Sequence, residues 1–141
     1  MRELPAWLAL AQGAYFALTG VWPLVSIRTF MKVTGPKTDV WLVKTVGVIV
    51  LAIGAALLVA VARHAVTPDM YLLAVASAAG LGGIDVYYVM KGTIDRIYLA
   101  DAAAEAVLIA LWALALVQPR LTRQPRCRPL LRLLLTSLSS F

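Results

Sequence analysis

The sequence predicts an all-α integral membrane protein, a bundle of four transmembrane helices, and three observations predict it. Only 14% of residues are charged and 62% are hydrophobic, whereas a soluble domain carries charge at about a quarter of its positions. The apolar residues are gathered into blocks of the length needed to cross about 30 Å of hydrocarbon, which takes about 20 residues of helix. The blocks are also apolar on every face: Val46–Ala62 shows none of the alternation of a barrel strand. A helix satisfies its own backbone in lipid, and an open sheet does not.

The spans are expected at 5–27, 39–62, 69–90 and 94–117. Leu4–Ile27 contains no ionised side chain. Pro5 suits a first-turn position and Trp7 an interface. Ala9-Leu10-Ala11 loosely resembles a signal-cleavage site, but the apolar run continues to Ile27, so a retained span is expected. Trp22-Pro23 should kink or close the far end of this helix. The link Arg28–Lys37 is basic and carries a turn signal in Gly35-Pro36. Thr38 then offers an N-cap, with Asp39 in the first turn and Trp41 as an interfacial anchor. Behind a single Lys44 the second span is free of charge to Ala62, and it ends at Arg63-His64.

Thr67-Pro68-Asp69 is a restart made of a cap, a first-turn proline and an acidic residue. The third span, Met70–Met90, is interrupted only by Asp85 and ends around Lys91-Gly92. Thr93 can cap the fourth, with Asp95 in its first turn; Ile97–Val117 is interrupted only by Asp101 and Glu105. Small residues recur at packing spacing: Ala9, Gly13 and Ala17; Gly47 and Gly54; Ala76, Gly80 and Gly83; Ala102, Ala106 and Ala110. Lipid supplies no hydrophobic drive between helices, so such stripes let backbones approach.

Residues 118–141 differ in character: Arg120, Arg123, Arg126, Arg128 and Arg132 are interleaved with Pro119, Pro125 and Pro129, then followed by a short apolar segment. This reads as a basic tail lying on an anionic membrane surface or disordered, and its arginines are a large part of the net charge of +6. The expected partners are the bilayer, other membrane subunits or a second copy, and not nucleic acid. With the tail counted, the positive-inside rule places both termini inside; without it, the Arg28–Lys37 side wins.

Ionisable groups at membrane depth are costly and are functional candidates by default. Counting from the expected caps at 1.5 Å per residue, Lys44 and Asp85 lie roughly 9 Å into their spans, Asp101 about 12 Å and Glu105 about 18 Å. Connectivity puts these ends on one membrane face, with Asp101 and Glu105 on one face of their helix. An ion pair of Lys44 with Asp85 or Asp101 is the natural arrangement, which leaves at least one carboxyl without a cation. Tyr87, Tyr88 and Tyr98 lie near enough along the chain to hydrogen-bond the group, and Tyr15 and Gln12 are polar positions in the first span.

Catalytic and metal chemistries find no support. The chain has no Ser-His-Asp, Cys-His or HExxH constellation, and Cys127 has no partner. His64 stands in a loop without a ligating neighbour. Gly80-Leu81-Gly82-Gly83 mimics a phosphate loop but lacks the GK[ST] ending and lies within an apolar span, so close helix packing is expected there. No cofactor is expected.

Four stretches carry a family resemblance: Gly13-Ala14-Tyr15-Phe16 with Gly20, Thr34-Gly35-Pro36-Lys37-Thr38-Asp39, Ile84-Asp85-Val86-Tyr87-Tyr88, and Tyr98-Leu99-Ala100-Asp101. Over residues 5–117 the chain resembles the small four-helix bacterial membrane proteins of the DoxX-like kind and neighbouring families. The resemblance implies a compact bundle in a bacterial inner membrane and carries over no functional residue. Two functions are therefore expected in competition. One is a non-enzymatic accessory subunit whose inward charges organise the bundle. The other is a proton-linked transporter or ligand-binding bundle using Asp85, Asp101 and Glu105, distinguished by a pocket that reaches Glu105.

Overall fold

A computed structural model of the chain describes residues 3–121. Within them every regular element is helical: α1 (Glu3–Val25), α2 (Ile27–Thr34), α3 (Val40–Ala62), α4 (Pro68–Met90) and α5 (Tyr98–Leu121). Four helices are long and apolar enough to cross a membrane, with apolar stretches of 22, 23, 23 and 20 residues. The protein is thus a multi-pass helical membrane protein. The expected basic tail lies outside the described residues except at its start, since α5 runs four residues past the expected Val117 end.

The basic link after the first span proved to hold structure. Its residues form α2, an eight-residue amphipathic helix that begins one residue after α1 ends. Ser26 caps it, accepting from the Thr29 amide, and Trp22 holds it to α1: its indole N–H donates to Thr29 at 2.9 Å and its ring meets Phe30 edge-on. Pro23 stands within α1, two residues before its end. The periodicity of so short a segment is hard to see beside a turn signal, and Gly35, at φ 84°, does make the turn out of α2.

Two caps also moved. Asp39, not Thr38, occupies the N-cap of α3. Thr93 does not start the last span; Asp95 instead accepts from the Ile97 amide at 3.0 Å and the helix begins at Tyr98. Thr67-Pro68-Asp69 caps α4 as its sequence indicates.

The spans are packed as two antiparallel hairpins, α1 on α3 and α4 on α5, joined more thinly where α1 meets α5 and α3 meets α4. The first hairpin is built on facing glycines. Gly13 opposes Gly54 and Gly20 opposes Gly47, so backbone meets backbone: a Cβ added at Gly54 would stand 2.6 Å from the Ala17 nitrogen. The seven-residue spacing on both helices brings each pair to the seam once per two turns. The core above this seam gathers Leu8, Ala9, Leu57, Ala74, Trp112 and Ala115.

Candidate functional site

A polar layer joins the two hairpins. Gln12, fully buried on α1, donates to the Ala74 carbonyl of α4 at 2.8 Å and accepts from the Trp112 indole of α5 at 2.7 Å. Tyr71 stacks edge-on against the same indole, with ring centroids 4.6 Å apart. One amide thereby ties three helices, and each of its bonds satisfies a group that lipid could not.

About two to three turns along α4 and α5 from this layer, toward the end of the bundle that holds α2, the carboxyls converge. The Tyr15 hydroxyl of α1 donates to the Asp101 carboxyl of α5. Asp85 of α4, buried at 9% exposure, lies within reach of a shared hydrogen bond with Asp101. Two carboxyls can bond to each other only when one of them carries a proton. Glu105 stands one helical turn from Asp101 on the same face of α5 and is 1% exposed. Its Oε2 is buried and has no hydrogen-bond partner among the described residues. Asp101 and Asp85 are its acidic neighbours.

Lys44 is not part of this group. It is exposed on the outer side of α3, and among the described residues no carboxylate pairs with a lysine or arginine. Depth alone suggested the ion pair, but similar depth does not bring side chains together: Lys44 lies one turn from Gly47, near the start of the helix that packs on α1, and its side chain is exposed. Tyr87 and Tyr88 are exposed, their rings meeting edge to face, with the Lys91 ammonium 4.5 Å from the Tyr87 ring centroid. Tyr98 sits at the start of α5 beneath the Lys37 ammonium, 4.8 Å away. None of the three tyrosines is hydrogen-bonded to the carboxyls. The tyrosine that is, Tyr15, was visible in sequence only as a polar residue in an otherwise uncharged span.

A groove of about 470 Å³ runs between α4 and α5 with Glu105 among its lining residues. Its width comes from small residues on both walls, Ala78, Ala79, Gly82 and Gly83 on α4 and Ala102 and Ala106 on α5. Gly82 allows the helices to close just where Glu105 enters: a Cβ there would meet the Glu105 Cβ at 3.1 Å. The Gly80–Gly83 run is therefore a packing and groove-forming element within α4. A second groove of about 450 Å³ lies between α1 and α5 and is lined by Tyr15, Ala11 and Val107 among others. Among the described residues no three acidic, histidine or cysteine side chains converge tightly enough to hold a metal ion.

Comparison with protein-family models, with curated proteins and with solved structures matches this chain to none of them.

Proposed function

We propose that this chain is a non-enzymatic membrane protein whose intramembrane carboxyls form a proton-linked binding site for a small ligand, seated in a bacterial inner membrane. One observation carries the reading: Glu105 is 1% exposed, has an oxygen without a partner, and lines a groove of about 470 Å³. A carboxyl network that served only to fix helix register would be dry and paired, because an unmet buried acceptor costs about 1–3 kcal/mol. Asp85, Asp101 and Glu105 gather three acidic groups with no cation paired to them among the described residues, so protons or an occupant would supply the charge balance that lipid does not. Tyr15 orients Asp101 and links the carboxyl group to α1.

The test is proton uptake by the purified protein on stepping the pH across neutrality, read with an indicator dye. The wild type should bind at least one more proton per chain than Asp101→Asn. Equal uptake by the two proteins, both folded, would sink the reading.

A second reading, an accessory subunit of a membrane complex, has one observation in its favour. Ala76, Gly80 and Gly83 form an outward line on α4, and nothing stands within 4 Å of a Cβ added at either glycine. Native size in mild detergent separates the two, since a subunit travels with its complex and a self-sufficient binding bundle does not.

A further inference from the structure

We infer that the α4–α5 groove takes a hydrophobic ammonium ion, a compact apolar body bearing a protonated primary or secondary amine. This rests on the proton-linked reading above and names the class of ligand for the same carboxyls.

The size and lining of the groove define the body. A volume of about 470 Å³ lies within the range of sites for small organic molecules. Apart from Glu105 and the Tyr87 ring, the walls are aliphatic or glycine, with Val86, Met90 and Ile109 beyond the small residues. Gly83 is exposed and has open space around it, so the groove opens sideways between the two helices, toward acyl chains in a bilayer. An occupant that arrives through the membrane must be mostly apolar.

The charge environment defines the head group. Glu105 Oε2 is an acceptor in want of a donor. Among the described residues no donor bonds to it: α4 presents Asp85 and, along the groove, Tyr87, which is not hydrogen-bonded to it; α5 presents Asp101; and the hydroxyl that α1 presents at Tyr15 is already given to Asp101. On α3, Lys44 points outward. The donor must therefore come with the ligand, and three carboxyls favour a donor that is also a cation. A quaternary ion would supply charge without a hydrogen bond, and a neutral alcohol a hydrogen bond without charge. An ammonium supplies both.

The experiment is titration calorimetry on the full-length protein in nanodiscs with 1-aminoadamantane, using 1-adamantanol as its neutral counterpart. The amine should bind saturably and at least tenfold more tightly than the alcohol. Gly83→Leu fills the groove from open space and should weaken the amine at least tenfold while leaving thermal stability unchanged. Glu105→Gln should weaken it by a similar factor. Equal binding of amine and alcohol overturns the proposal, as does full affinity in a folded Gly83→Leu protein. So does a native size that falls from dimer to monomer in Gly83→Leu, which would make the groove a contact between copies. Proton uptake lost in Asp101→Asn without any amine binding would end this inference and leave the proton-linked reading standing. Neither uptake nor binding would end both.

Discussion

Single residues decide how the two hairpins are held together. In water a glutamine within a helix is unremarkable, but at membrane depth its amide must find partners in the protein. Gln12 finds them on two other helices, and Trp112, fully buried, depends on it for its indole N–H. Gln12→Leu keeps the volume and the apolar surroundings but strands that donor. The loss should be about 1–3 kcal/mol, seen as a lower melting temperature in detergent and partly recovered when Trp112→Phe is added. No change in Gln12→Leu would mean that the indole has another partner. This role was only half legible in the chain. Gln12 stands out as polar, but its partners lie 62 and 100 residues away.

At the scale of the helix, glycine has opposite meanings in α3 and α4. Gly54 is in contact with backbone on α1, with a would-be Cβ 2.7 Å from the Gly13 oxygen, whereas Gly80 faces open space. The same substitution should therefore divide cleanly. Gly54→Ala must push two backbones apart and should cost about 3 kcal/mol, at the upper end for overpacking; Gly80→Ala should be neutral. Thermal unfolding of the two variants in one detergent checks both. If Gly54→Ala is as stable as Gly80→Ala, the α1–α3 seam is not as described. Spacing in the sequence identified both stripes, but not which one faced a partner.

At the scale of the molecule, the thin joint between hairpins matters most. The hydrogen bonds of Gln12 and Tyr15 cross that joint: both come from α1, and their partners Ala74, Trp112 and Asp101 from α4 and α5. Apolar helices are not driven together in lipid, so these bonds should supply much of the specificity of assembly. If the chain is divided in the Arg63–Val66 loop and the halves are co-expressed, they should co-purify. The double variant Gln12→Leu, Tyr15→Phe should reduce recovery of the complex severalfold. Undiminished recovery would assign the cohesion to packing alone.

The chain by itself determined class, span number and most boundaries, because length and hydropathy are local properties and the bilayer judges them locally. It also gave the position of each ionisable group along its span, since rise per residue converts sequence position into an expected depth. What it left open is rotation. Lys44 sits at the expected position along α3 yet is exposed, because α3 packs chiefly on α1 and only thinly on the hairpin that carries the carboxyls. Packing likewise left Tyr87 and Tyr88 exposed and brought in Tyr15. Only tertiary packing could decide the azimuth of each helix, and with it which carboxyl, Glu105, was left without a partner.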